Sequence, residues 1–303
     1  MFRFSWVENL CFDGKGGHMF GSERLRGQLL KINGTGGGKS GGYTTTVLQE
    51  GIWKLLLGCT VDADRFPDTV FVVGELHNGS HVLASVPIHT PSDWEIVAFT
   101  AHCGNGIRIH EVTGVLYTST EGTFMPGSGA VYEIDPSVRP WGGQATALAD
   151  HLAPADGLWI DQARALLYVG LLPSGKVWTY NLRSGEVVGT FSGLKHFGCE
   201  LLLCAMDDFT LHPDNTSLVV AAAWTDDSVR VFPTFSPEAG FQQRTVLKGI
   251  KRPTSVRWGS GFGGFASTSL FISEGGSLHS PKETVYRILE WKFAREAIDD
   301  MLI

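Results

Sequence analysis

The feature that most constrains this chain is a unit that returns six times in phase. At a spacing of roughly 50 residues, each copy holds a short strand, a polar turn, a second strand ending in a small residue and often an acid, a Gly-bearing loop and a third alternating strand. The first copy runs Asn9-Leu-Cys-Phe-Asp13, Gly17 to Glu23 and Gly27 to Ile32; the second runs Leu57 to Asp62, Thr69 to Glu75 and His81 to Val86. The third is Asn105 to His110, Gly114 to Ser119 and Gly129 to Ile134, and the fourth Asp156-Gly-Leu-Trp-Ile-Asp161, Ala165 to Gly170 and Gly175 to Tyr180. The fifth opens on Ala205-Met-Asp-Asp-Phe-Thr-Leu-His212 and continues through Ser217 to Trp224 and Ser228 to Phe232; the sixth is Thr254 to Trp258, Ser269 to Glu274 and Thr284 to Leu289. Units of this size cannot bury their apolar faces alone, so six in a row predict an all-β, six-bladed β-propeller with four-stranded blades, a single domain over residues 1–303.

The fourth strands are the weakest in sequence. Thr44 to Leu48, Trp94 to Ala98 and Thr245 to Leu247 are read as outer strands leading their units, and Phe2-Arg-Phe-Ser5 as the strand that closes the ring. The tail Lys292 to Ile303 reads as a short amphipathic helix docked as a cap. A doubly wound α/β fold would need helices of about 10 to 15 residues between strands, and only the tail offers one.

Composition agrees. The chain has 38 glycines, 9 tryptophans and only 18% charged residues, which favours short strands and tight turns. No segment approaches about 18 uninterrupted apolar residues, so no spanning helix is expected. A formal charge of −7 argues against a nucleic-acid or anionic-membrane surface. The densest basic run, Lys248-Gly-Ile-Lys-Arg252, reads as a solvated loop, and no obligate protein partner is indicated. Cys11, Cys59, Cys103, Cys199 and Cys204 form an odd set without a C-x-x-C pair, which disfavours a zinc knuckle and reads mostly as buried thiols. Met1-Phe-Arg-Phe-Ser-Trp lacks the apolar core of a secretory signal and favours the cytoplasm. Sequons at Asn33-Gly-Thr, Asn78-Gly-Ser and Asn215-Thr-Ser leave secretion open.

Gly34-Thr-Gly-Gly-Gly-Lys-Ser-Gly-Gly42 is no phosphate-binding loop, because Asn33 stands where the first glycine is required and no helix follows Ser40. Gly38-Lys-Ser-Gly-Gly42 spells a nucleophile elbow without its strand-turn-helix context, so the run reads as an inter-blade loop.

Register makes a ring of scattered polar residues. Five residues before the polar position that closes each innermost strand stand Glu8, Leu57, Asn105, Asp156, Asp207 and Thr254. Equivalent positions of a propeller face the same end of its channel, so three carboxylates and an amide oxygen are expected to converge beside Leu57 and Thr254. Like charges that close are costly unless a cation neutralises them. All-oxygen donors suit one divalent ion, Ca²⁺ first, with Mg²⁺ or Mn²⁺ as alternatives and Zn²⁺ less natural. Asp208 is placed as a further ligand or as a group orienting one. The competing reading is that each acid only caps a turn at the start of its strand.

Glu8-Asn-Leu-Cys-Phe-Asp13, Asn105-Gly-Ile107, Asp156-Gly-Leu158 and Met206-Asp-Asp208 resemble the four metal-ligand segments of the gluconolactonase and senescence-marker-protein family, and more remotely the paraoxonases; strictosidine synthase shares the scaffold. The resemblance implies that Glu8, Asn105, Asp156 and Asp207 hold a divalent cation that polarises a lactone or ester carbonyl, and that Asp207 doubles as the base that activates water. Two departures stand out. Asp156 occupies a place where the family has Asn, and His102-Cys103-Gly104 precedes Asn105 where the sugar-lactone branch has Arg, which argues against a sugar-acid lactone.

The loops at the same end offer Glu23, Glu75, Glu121, Trp224, Glu274 and the insert Gly122 to Gly127. The recurring small-then-acid ending of Gly74-Glu75 and Ser273-Glu274 reads as blade packing. Glu121, Trp224 and Phe124-Met125 are candidates for the pocket, and His102 and Cys103 for acid-base or nucleophilic roles. The expected function is a metal-dependent lactone or ester hydrolase acting on a small molecule. Two alternatives stay open: a non-hydrolytic propeller of specialised metabolism, running a condensation or cycloaddition, and a binding propeller with a structural metal.

Overall fold

The computed structural model describes residues 7–13, 15–34, 43–192, 206–234, 243–275, 288–292 and 294–302. The predicted closing strand Phe2 to Ser5, the Gly-rich run after Gly34, residues 284–287, Cys199 and Cys204 lie outside the described residues.

The described chain is a β-propeller whose blades follow one another in sequence. The first blade holds β1 (Val7–Asp13), β2 (His18–Glu23), β3 (Gln28–Gly34) and β4 (Tyr43–Gln49). The second holds β5 (Trp53–Val61), β6 (Thr69–Leu76), β7 (His81–Pro87) and β8 (Glu95–Phe99). The third holds β9 (Gly104–Ile109), β10 (Leu116–Thr120), β11 (Gly129–Ile134) and β13 (Thr146–Leu152), preceded by the short β12 (Gly143–Gln144), which pairs in parallel with β8. The fourth holds β14 (Ala155–Asp161), β15 (Leu166–Leu171), β16 (Lys176–Asn181) and β17 (Glu186–Ser192), and the fifth β18 (Met206–Leu211), β19 (Leu218–Ala223), β20 (Ser228–Pro233) and β21 (Arg244–Lys248). The sixth shows β22 (Pro253–Trp258), β23 (Leu270–Glu274) and β24 (Ile288–Trp291), followed by helix α1 (Ala294–Leu302).

One detail of the predicted topology differs. Thr44 to Leu48, Trp94 to Ala98 and Thr245 to Leu247 do not lead the next unit; they lie in or overlap β4, β8 and β21, which pair with the third strands of their own blades. A strand returning from the third as an antiparallel hairpin pairs with what precedes it.

The core is divided among the seams between blades. Phe20, Leu29 and Trp53 pack between the first and second blades, and Phe71, Val73 and Ile107 between the second and third. Tyr117, Leu158 and Trp178 fill the next seam, Tyr168, Phe209 and Phe232 the one after, and Val220, Val256 and Leu270 the fifth. The last seam joins the ends of the chain: Val7, Leu10 and Met19 of the first blade meet Phe265 and Phe271 of the sixth, with Phe12 edge-on to both rings. The innermost strands touch in the cyclic order β1, β5, β9, β14, β18, β22 and back to β1, so apolar packing closes the circle. Helix α1 docks against the fifth seam through Ala294 and Ile298, as the sequence predicts for a cap.

The cysteines correct one expectation. Cys11 of β1 and Cys59 of β5 form a disulfide across the first seam, with Cα atoms 5.9 Å apart, while Cys103 is a free thiol. Pairing cannot be read from spacing; only the side-by-side placement of two inner strands reveals it.

Candidate active site

Each inner strand carries an extra residue relative to the second strand beside it, at the same height in every blade; β5 carries a further one at Lys54. Glu8 and Asn9 lie opposite Ser22, Leu57 and Gly58 opposite Val73, and Asn105 and Gly106 opposite Ser119. Asp156 and Gly157 lie opposite Gly170, Asp207 and Asp208 opposite Ala222, and Thr254 and Ser255 opposite Ser273. These are β-bulges, which bend a strand and re-aim a side chain. The first residue of each of these six is the residue that the sequence register had placed in the ring, and all six are buried.

Neighbouring blades hold the bulges in place through their carbonyls. Ser22 Oγ donates to Leu57 O at 2.5 Å, Thr254 Oγ1 to Val7 O at 2.5 Å, and Ser119 Oγ to Asp156 O. The second bulge position is glycine where the next backbone comes closest: a Cβ on Gly157 would stand 2.4 Å from Asp207 O.

Arg24, just beyond β2, is the permanent positive charge of this mouth and was not singled out from the sequence. Its Nη1 lies 2.9 Å from Glu8 Oε1. Its proton is held more tightly than usual, above all by Glu8 and further by Glu121, Asp207 and Asp156. Asn105 Nδ2 donates to Glu121 Oε1 at 3.1 Å, which turns its amide oxygen the other way. Asp156 Oδ1 is buried and has no hydrogen-bond partner among the described residues.

Burial biases these carboxyls toward their protonated forms. Burial raises Glu121 to about 7, with Glu8 adding to the rise and Arg24 and Asn105 opposing it. Burial lifts Asp156 well above the usual range, with Glu121 and Glu8 next, and it lifts Asp207 likewise, with Asp156 and Glu8 next.

Asp208, the second bulge residue, belongs to the channel below. Its Oδ2 meets Arg257 Nη2 at 2.5 Å, Ser255 Oγ at 2.7 Å and Asn9 Nδ2 at 3.3 Å, and its Oδ1 lies 3.6 Å from Arg108 Nη2. Burial lifts its carboxyl to about 7 against the pull of Arg108. Arg108 and Arg257 share one register, three residues after Asn105 and Thr254, so the rule that found the acids also reaches them.

The remaining candidates are spread out. Leu57 and Thr254 complete the ring as buried side chains, the threonine hydroxyl also meeting Ser273 Oγ at 2.9 Å. Cys103 stands close enough to Glu75, Glu121, Arg24 and Glu8 to feel their charges; burial first and those acids next raise its thiol to about 12. At neutral pH it is a thiol, not a nucleophilic thiolate. His102 is half-buried, and its carbonyl accepts a hydrogen bond from Thr100 Oγ1. Phe124 and Met125 are 60% and 63% exposed. Trp224 is half-buried under the Arg252 guanidinium, 5.0 Å from its ring centre. The acids that end the second strands serve local structure: Glu75 pairs with Lys54, Glu23 takes Arg26 N–H and Glu274 takes Lys251 N–H.

Among the described residues, no three His, Cys, Asp or Glu side chains are already spaced as metal ligands. The donor chemistry nevertheless fits a hard divalent cation. The mouth gathers the carboxyls of Glu8, Glu121, Asp156 and Asp207 around one guanidinium, and it holds an amide oxygen and an unpartnered carboxylate oxygen.

Fold and mouth together define a six-bladed β-propeller with an acidic, bulge-built channel opening. Among solved structures the chain is similar to a gluconolactonase from Xanthomonas campestris, with a TM-score of 0.64 and 15% identity over 90% of this chain and 84% of that one. It is also similar to an oxidoreductase of the glucose dehydrogenase type from Thermus thermophilus, with a TM-score of 0.65 and 14% identity over 94% and 97% of the two chains. A chain of the nidogen–laminin complex gives a TM-score of 0.57 and 12% identity over 83% of each chain. No family model matches the chain, and no curated protein matches it significantly. At these identities the likeness is one of fold.

Proposed function

We propose that this protein is a hydrolase of a small lactone or ester, using one divalent cation, calcium first, held at the channel mouth by Glu8, Asn105 Oδ1, Asp156 and Asp207. The observation that carries this reading is Asp156 Oδ1: a buried carboxylate oxygen without a donor, inside a cluster whose acids outnumber its one guanidinium. The gluconolactonase fold neighbour agrees with a lactone substrate.

When bound, such an ion supplies Lewis acidity toward the substrate carbonyl. Asp207 takes the proton of the attacking water as the new C–O bond forms, and returns it to the leaving alkoxide as the old one breaks. Glu121 holds Asn105 in the orientation that offers its oxygen. Arg24 balances Glu8 and, beside the developing oxyanion, lowers the cost of its charge. Cys103, kept neutral, is a wall of the pocket.

Elemental analysis of protein purified without chelator, followed by a panel of lactones and aryl esters, tests the reading. A retained divalent ion, turnover lost on chelation and Asp207→Asn lowering kcat by about 10²–10⁴ are expected. Full turnover by metal-free protein would rule it out.

A second reading has its own observation. Arg24 and the raised carboxyls can neutralise the mouth without an ion, leaving Glu121 and Asp207 as proton donors to a condensation or cycloaddition in an apolar substrate. A protein that retains no metal and hydrolyses nothing in the panel would favour it.

We also propose an oxidising compartment. Structural disulfides such as Cys11–Cys59 are rare in reducing compartments, and the sequon residues Asn78 and Asn215 are exposed. Among the described residues no helix is long and apolar enough to cross a membrane.

A further inference from the structure

The second residues of the six bulges divide the ring in two. In the second, third and fourth blades they are Gly58, Gly106 and Gly157. A Cβ on these glycines would stand 2.2 Å from Asn105 O, 2.9 Å from Asp156 O and 2.4 Å from Asp207 O respectively. Backbone resting on backbone therefore sets the spacing in this half, each glycine lying against the carbonyl of a ring residue in the next blade.

In the fifth, sixth and first blades the same positions hold Asp208, Ser255 and Asn9, all buried. Side chains set the spacing here. Ser255 Oγ donates to Asp208 Oδ2 at 2.7 Å, Asn9 Nδ2 donates to the same oxygen at 3.3 Å, and Leu10 N–H donates to Ser255 Oγ at 3.3 Å.

Arg257, two residues past Ser255 on β22, gathers the three strands. Its Nη2 meets Asp208 Oδ2 at 2.5 Å and lies 3.5 Å from Asn9 Oδ1, while its Nη1 donates to Phe209 O at 3.0 Å and Val256 O at 2.6 Å. The guanidinium is buried and lies over the Trp159 ring, 5.3 Å from its centre. A planar fork of this kind can hold partners on β18, β22 and β1 at once, which the compact ammonium of a lysine cannot. The residues just before Asp208 and Asn9 are Asp207 and Glu8, which face each other across the sixth blade.

We propose that Arg257 is a positioning residue for the ion at the mouth: by holding Asp208 and Asn9 with one rigid group, it fixes the distance between Asp207 and Glu8. The assignment rests on the reading of Glu8 and Asp207 as ion ligands. Arg257 acts through its neighbours, and groups that orient metal ligands in this way are worth about 10- to 100-fold in ion affinity.

Calorimetric titration with calcium, and residue-resolved hydrogen exchange on the metal-free protein, test it. Arg257→Lys keeps the charge beside Asp208 but not the span, and is expected to weaken calcium at least tenfold. It is also expected to speed exchange of the Leu10 and Phe209 amides, which donate to Ser255 Oγ and Asp208 Oδ1, at least tenfold relative to Gly106, whose amide donates to Ser119 Oγ in the glycine half. Ser255→Ala, which removes no charge, is expected to weaken calcium at least threefold. Leu83→Ala, a loss of packing between the second and third blades, is expected to keep native calcium affinity. Native calcium affinity in Arg257→Lys and Ser255→Ala, an equal loss in Leu83→Ala, or exchange that rises as much at Gly106 would each overturn this assignment alone. A native protein that binds no calcium would overturn the reading of the mouth and this assignment with it. Should Arg257→Lys fail to fold, Ser255→Ala against Leu83→Ala still decides.

Discussion

Arg24 Nη1 stands 2.9 Å from Glu8 Oε1, so the acidic mouth contains its own fixed cation, delivered by the loop after the second strand of the first blade. A metal ion entering the ring competes with that guanidinium for Glu8. Arg24→Gln is therefore expected to tighten divalent-ion binding at least tenfold, read by calorimetry. It is also expected to lower the stability of the metal-free protein by about 2–3 kcal/mol, at or below the foot of the range for a broken buried pair because Arg24 is a quarter exposed. Unchanged ion affinity would mean that Arg24 and the ion do not share Glu8.

The raised carboxyls set the sign of the pH dependence. Glu121 holds its proton up to about 7 when folded, against an ordinary value of 4.5. A carboxyl raised by folding contributes stability at low pH that is lost as pH rises through its folded value. Metal-free protein is thus expected to melt at progressively lower temperature between about pH 5 and pH 8, and saturating calcium to flatten or reverse that slope by displacing protons. Thermal melts across this range, with and without calcium, give the answer; a metal-free melting temperature that rises with pH would contradict the assignment.

Asp156 is the ring acid with an unpartnered oxygen. Asp156→Asn removes one negative charge and keeps the shape, so divalent affinity is expected to fall at least tenfold while the metal-free protein becomes more stable, since the costly buried acid is gone. Isothermal titration paired with a denaturant melt separates the two effects. A loss of stability would show that Asp156 has a partner in solution.

Gly157→Ala tests the bulge. Its Cβ would meet Asp207 O at 2.4 Å and Asp208 Cα at 2.7 Å, both backbone atoms that cannot rotate away. A cost of about 1–3 kcal/mol is expected, as for overpacking, together with weaker ion binding because Asp207 is displaced. Native stability and native ion affinity in this variant would show that the seam yields to a methyl group.

The disulfide closes a loop with a sequence separation of 48 between Cys11 and Cys59. Chain entropy puts its contribution at about 4 kcal/mol, so reduction or Cys59→Ser is expected to lower the denaturation midpoint clearly without abolishing folding, since six apolar seams remain. A reduced protein as stable as the oxidised one would show that the bridge adds nothing.

Sequence alone determined the propeller, because alternation and turn residues are local properties and a unit repeated in phase has few ways to bury its faces. It also determined which side chains share a height: counting five residues back from Asp13, His110, Asp161 and His212 reached Glu8, Asn105, Asp156 and Asp207, the residues that head the bulges. What lies between blades needed the tertiary structure. Arg24 reaches Glu8 from 16 residues away, Arg257 reaches Asp208 from another blade, and Cys11 meets Cys59 only because β1 and β5 run side by side. Asp207 and Asp208 show the division most clearly. Adjacent in the chain and alike in chemistry, they are sent by one extra residue in a strand to different surroundings: Asp207 among the acids of the mouth, Asp208 onto the arginines of the channel. A period of two residues cannot reveal a bulge, because a bulge is a mismatch between two strands and not a property of either.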